Sequence, residues 1–120
     1  MTVLMIAIGA AIGAPARYLA DRAVQSRHDT ALPWGTVTVN VVASLVFGFV
    51  AGAAGHVSAE VQALVATGFC GALSTFSTFS YETLRLGQEG RRSVAATNVV
   101  VSVAAALGAA ALGWVLGAAL

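Results

Sequence analysis

Between Gly68 and Glu82 the chain reads GFCGALSTFSTFSYE, with six hydroxyl residues (Ser74, Thr75, Ser77, Thr78, Ser80, Tyr81) among two glycines and three phenylalanines. Hydroxyls, ring edges and backbone released by glycine suit weak, reversible contact with a small ion. The surrounding sequence is apolar enough for membrane spans, where an unpaired polar group is costly, so these hydroxyls must line something. Gly68 and Gly71 let the chain leave helical geometry, and a helix interrupted at membrane depth exposes carbonyls at one end and N–H groups at the other. The run that follows sets Phe76 and Phe79 at i, i+3 on one helical face.

Other polar residues fall at helical spacing. Thr36, Asn40 and Ser44 form a stripe at i, i+4, i+8, and Asn98 and Ser102 repeat the interval near the C-terminus. A mid-membrane amide needs partners, so Asn40 is either helix–helix glue or part of a pore lining. No nucleophile–base–acid set is apparent, no carboxylate pair falls inside a span, and no glycine-rich phosphate loop follows a strand, which argues against an enzyme. What remains is amide and hydroxyl donors with aromatic rings, an inventory that favours a small anion. Two phenylalanines presented edge-on stabilise an anion without trapping it, whereas the default for a membrane phenylalanine is a lipid-facing or packing role.

These groups must be held by helices. Of the 120 residues 58% are hydrophobic and 9% charged, with no lysine, which is a membrane composition and allows one domain. The expected fold is an all-α membrane protein with four transmembrane helices in one domain, 1–120. Helices are expected at about 2–24, 34–54, 59–86 with a break near 71–75, and 93–120. The first charge is Arg17, so the N-terminal stretch lacks the basic region of a secretory signal and reads as a retained helix. Pro15 inside that helix can kink it and turn Arg17 toward an aqueous vestibule; snorkelling to headgroups, or pairing with Asp21, is the alternative.

Gly9/Gly13, Gly48/Gly52 and Gly113/Gly117 are GxxxG pairs that permit close helix approach. Trp34 reads as an interfacial anchor, and Ser58 with Glu60 as a cap for the third helix. Glu82, Arg85 and Glu89 read as surface ion pairs or a cap near water. Cys70 has no partner for a disulfide or metal site, and His28 and His56 read as loop residues. Arg17, Arg22, Arg27, Arg85, Arg91 and Arg92 all fall toward the 1–2 and 3–4 connections, which places those connections in the cytoplasm and both termini outside.

The stretch from Gly68 to Phe79, followed by Glu82, resembles the GFxGxxTTFSTFxxE signature of the Fluc (CrcB) fluoride channels. Gly13 to Tyr18 is similar to the family's GAxxRY element, and Pro33-Trp34-Gly35-Thr36 through Asn40 to its PxGTxxxN element. The three motifs occur in order over the first two-thirds of the chain; the fourth helix matches only in character. The resemblance implies a passive fluoride channel in a prokaryotic inner membrane, assembled as an antiparallel dimer with two pores, with no nucleic-acid partner. It also implies a structural Na+ ion, not transported, held by main-chain carbonyls of Gly71 and Ser74, where Ser74 stands in place of the usual threonine. Family pore residues carry over to Asn40, Phe76 and Phe79, supported by Thr78, Ser77 and Thr36, and more weakly to Asn98 and Ser102; Arg17 is a vestibule candidate. Because the arginine bias is one-sided, pairing with an oppositely oriented paralogue is favoured over a homodimer.

Two other classes compete. A small multidrug-type proton-coupled exporter would need a membrane-embedded carboxylate in its first helix, and Met1–Ala16 contains none. A non-transporting assembly subunit would use the GxxxG pairs but leave the polar stripes without a task.

Overall fold

Glycine spacing decides which spans lie against which. In the computed structural model, which describes residues 1–26, 33–74 and 76–120 without the side chains of Gln25, Phe76 and Ser77, the described residues are helical apart from short turns and no strand is formed among them. The elements are α1 (Thr2–Gln25), α2 (Trp34–Gly52), a 3-10 turn (Ala54–His56), α3 (Ala59–Gln62), a π-helical segment (Ala63–Cys70), α4 (Gly71–Leu73), α5 (Phe76–Gln88) and α6 (Arg92–Ala118). Four stretches are long and apolar enough to cross a membrane: Thr2–Val24, Trp34–Gly52, Ala59–Gln88 and Arg92–Ala118.

A Cβ added at Gly48 or Gly52 would strike the carbonyl of Ala110 or Trp114 on α6, and one at Gly113 or Gly117 would strike that of Leu45 or Phe49 on α2. The pair α2/α6 is therefore joined backbone to backbone. On the other side, Gly9 and Gly13 of α1 face the backbone of Leu64 and Phe69, while Gly68 faces the carbonyl of Ile6. All three GxxxG pairs are thus used inside one chain. The two helix pairs meet through a small core of Val39, Ala43, Cys70 and Leu73, against which Ala16, Ala20, Val46 and Phe69 pack.

The outer faces are the reverse of a water-soluble protein. Leu4, Ile12 and Leu19 on α1, and Val100, Leu107 and Val115 on α6, are all exposed, as expected where the surrounding solvent is hydrocarbon. The longest dimension, 47 Å, is close to the roughly 40–45 Å of a bilayer with its headgroups.

The third span changes character along its length. Ser58 caps its start, its Oγ accepting from the Val61 N–H at 3.3 Å, and Glu60 sits in the first turn. The chain then winds as a π-helix through Ala63–Cys70, returns to α geometry for Gly71–Leu73, and is extended at Ser74 (φ −72°, ψ 154°) before α5. Thr75 lies outside the described residues. At the far end α5 closes on Gly90, whose φ of 79° suits glycine, with the Arg91 N–H donating to the Leu86 carbonyl at 2.9 Å.

Some element ends differ from expectation by a turn or less. α2 stops at Gly52 because Ala53 leaves helical geometry ahead of the 3-10 turn. α1 runs unbroken through Pro15, which sits on an exposed face, and continues to Gln25.

Candidate functional site

The sequence-derived residues gather in three places around α5. The first is a cavity of about 190 Å³ lined by Arg17, Tyr18, Asp21, Thr36, Val39 and Thr78. α1 contributes the charged groups, α2 the threonine and valine, and α5 contributes Thr78. Of the expected residues, the cavity brings together Arg17, Thr36 and Thr78, which are far apart in sequence. Arg17 and Asp21, one helical turn apart on α1, face the same space.

The second is an open groove of about 370 Å³ between α2 and the third span, whose lining includes Ser44, Phe47, Thr67, Cys70, Gly71 and Ser74. It continues into a second hollow of about 340 Å³ toward Gln62, sharing Phe47 and Thr67. Gly71 and Ser74 therefore face one space. A helix that stops leaves carbonyls without intrahelical partners, and α4 ends between these two residues. The half-buried Asn40 lies on α2 one turn from Thr36 in the first space and one turn from Ser44 in the second.

The third place is buried. Asn98 is 0% exposed; its Nδ2 donates to Thr83 Oγ1 at 2.8 Å and its Oδ1 accepts from Ser102 Oγ at 3.3 Å. The Thr83 hydroxyl donates in turn to the Phe79 carbonyl at 2.8 Å. Asn98 and Ser102 thus meet each other and α5 without lining the first cavity or the groove. The half-buried Phe79 connects to them through its backbone. The side chains of Phe76 and Ser77 lie outside the described residues, as do Arg27 and His28.

Two acidic side chains depart from expectation. Arg85 and Glu89 form the expected exposed ion pair, Nε to Oε1 at 3.0 Å, but Glu82 turns inward and its Oε1 accepts from Thr36 Oγ1 at 2.5 Å. The reason is position along the helix: Glu82 is one turn beyond Thr78, where this face still meets Thr36 of α2, whereas Arg85 and Glu89 lie farther along the same face. Asp21 is the second. α1 extends past the apolar stretch Met1–Ala16, so the first helix does hold a carboxylate, near its C-terminal end and packed against Gly35. The first helix is therefore not free of carboxylates, although the stretch Met1–Ala16 is, and an exporter is not set aside on that ground.

Thr83, Glu82 and Asp21 are the residues that sequence reading left out of the site. A signal existed for Thr83: a buried amide at Asn98 requires a partner, and Thr83 is a hydroxyl on the helix just before it in the chain.

The arrangement offers a guanidinium, hydroxyls and an amide beside narrow spaces, with the carboxylate of Glu82 occupied by Thr36. Among the described residues no group of three or more His, Cys, Asp or Glu side chains is placed to hold a metal ion.

Comparison with known proteins points the same way. The family model described as CrcB-like protein, Camphor Resistance (CrcB), matches residues 4–114. The chain is 63% identical over 120 residues to Fluoride-specific ion channel FluC 1 of Frankia casuarinae, covering 94% of this chain and 93% of that protein. It is 53% identical over 115 residues to Fluoride-specific ion channel FluC 1 of Streptomyces avermitilis (94% and 93% covered). It is 45% identical over 114 residues to Fluoride-specific ion channel FluC 2 of Rhodococcus jostii (95% and 96% covered).

Proposed function

The chain belongs to the CrcB family, and from that premise we propose that it is a fluoride-selective channel through which cytoplasmic fluoride leaves the cell. The observation that carries this reading is the likeness, over nearly the whole chain, to proteins named as fluoride-specific ion channels. The relatives are named as channels, not as enzymes or exporters, which favours a channel over a proton-coupled carrier.

The pore is assigned to Asn40, Phe76 and Phe79, with Ser77, Thr78 and Thr36 in its wall, Asn98 and Ser102 on α6, and Arg17 at a vestibule. The cavity that Arg17 shares with Thr36 and Thr78 supports this assignment. A hydrated anion gives up water to a row of weak donors and ring edges, each loose enough to release it. Fluoride that enters as the neutral acid ionises inside, and a negative-inside potential drives the anion outward without an energy source.

A third span interrupted at membrane depth is part of the proposal, supported by the extended backbone at Ser74 between α4 and α5. The assembly is an antiparallel dimer, and the open groove along α2 and the third span leaves room for a second chain. Na+ bound at the carbonyls of Gly71 and Ser74 would supply fixed positive charge and tie the two interrupted spans together. Both residues face the groove, which suits a ligand shared between chains. The arginine bias favours a partner paralogue of opposite orientation, with termini outside and the 1–2 and 3–4 connections cytoplasmic; relatives numbered 1 and 2 fit such pairing.

The test is fluoride efflux from liposomes. Phe76→Ile, and Asn40→Asp through charge repulsion, are each expected to abolish it, and unchanged efflux in both would defeat the pore assignment. Replacing sodium by another monovalent cation on both sides is expected to lower flux without sodium itself crossing.

A further inference from the structure

α5 carries Thr78 and Phe79, yet the element it packs against most closely is α6. Its face is not apolar in the manner of the other spans: within one turn it presents Glu82 and Thr83, and each is bonded to a different neighbour. Glu82 accepts from Thr36 on α2, and Thr83 accepts from Asn98 on α6. With hydrocarbon outside there is no hydrophobic drive to seat a helix, so side-chain hydrogen bonds and close packing must do it.

The bond to α6 is built as a relay. Asn98 is held by Ser102 one turn along its own helix and donates to Thr83, whose hydroxyl donates in turn to the carbonyl of Phe79. The last contact reaches the backbone of a residue assigned to the pore. Asn98 itself is completely buried and Ser102 is 7% exposed, so both amide atoms of Asn98 are committed to hydrogen bonds inside the chain.

We propose that Asn98 is a positioning residue: through Thr83 it sets the rotation of α5, and with it the presentation of Thr78 and Phe79, a role separate from any contact with the ion. The effect on flux rests on the channel reading given above; the seating of α5 does not.

Two measurements test it. In fluoride efflux, Thr83→Val and Asn98→Ala are each expected to lower maximal flux about tenfold, Thr83→Ser to stay within about twofold of the parent, and the double variant to be no worse than the poorer single one. Wild-type flux in Thr83→Val alongside a loss in Asn98→Ala would overturn the proposal, because Asn98 would then act without Thr83. Multiplying losses in the double variant would overturn it as well. The second measurement needs no fluoride: spin labels at Leu84→Cys and Val99→Cys, in a Cys70→Ala background diluted with unlabelled chain, report the distance between α5 and α6. Thr83→Val is expected to shift or broaden that distance and Thr83→Ser to leave it alone; an unchanged distance in Thr83→Val overturns the proposal. If the parent protein conducts no fluoride, the channel reading fails while the distance still decides whether Asn98 seats α5.

Discussion

Where α2 meets α6, backbone lies on backbone with only glycine between; where α5 meets its neighbours, a threonine and an asparagine reach across to make the join. The first kind of seam is unforgiving, since a single added carbon must displace a carbonyl. The second is adjustable, since hydrogen bonds at a side-chain tip tolerate small rotations. The placement follows the division of labour. Close-packed glycine seams join α2 to α6 and α1 to the third span, and polar seams hold α5, which carries the assigned phenylalanines.

The largest effect should come from breaking the first seam. Gly113→Leu places a branched side chain against the Leu45 carbonyl and the Phe49 amide. Overpacking of this kind costs about 1–3 kcal/mol or more, and the backbone on the far side cannot yield as a side chain would. Loss of a monodisperse peak in size-exclusion chromatography after extraction is expected. Gly108→Leu, on the same helix, is the control: a Cβ there meets nothing within 4 Å, and the profile should be retained. Equal tolerance at both positions would mean that the α2/α6 seam is looser than the contacts imply.

Next in size is the polar seam between α2 and α5. Thr36 is 2% exposed and gives its one hydroxyl proton to Glu82. Thr36→Val keeps the shape and removes the donor, leaving a half-buried carboxylate short of a partner, which costs about 1–3 kcal/mol. A lowered unfolding temperature in detergent is expected, together with reduced fluoride flux, and Thr36→Ser should restore most of both. If Thr36→Val unfolds at the parent temperature, the seat of α5 depends on α6 alone.

Much of the scaffold could be read from spacing. Charge-free runs placed the four spans, and glycine at i, i+4 marked the faces that approach closely. Spacing does not choose partners, however, because a bare glycine face accepts any helix of suitable slope. That Gly48/Gly52 would meet Gly113/Gly117, while Gly9/Gly13 met the third span, is a property of the assembled chain. The winding of Ala63–Cys70 was likewise hidden, since no local propensity separates a π from an α turn in an apolar run. At the site, Thr36, Arg17 and Thr78 were each legible as polar residues in apolar helices, and the structure brings them to one cavity. Glu82 was read as a boundary charge because Arg85 and Glu89 are; the three share one face at i, i+3 and i+7, and Glu82 differs in lying a turn farther in, where Thr36 reaches it.

The smallest effect should come from the exposed counterpart of the Thr36–Glu82 bond. Arg85 and Glu89 form an ion pair at 3.0 Å with side chains 63% and 45% exposed. Geometry alone would rank this bond beside the buried ones. Water and salt screen an exposed pair, however, and two long side chains lose rotamer freedom in making it. Arg85→Ala is therefore expected to leave both the unfolding temperature and fluoride efflux within error of the parent. Should it cost as much as Thr36→Val, the governing variable would be the bond and not its burial, and the contrast between an adjustable inner seam and a merely solvated outer face would have to be redrawn.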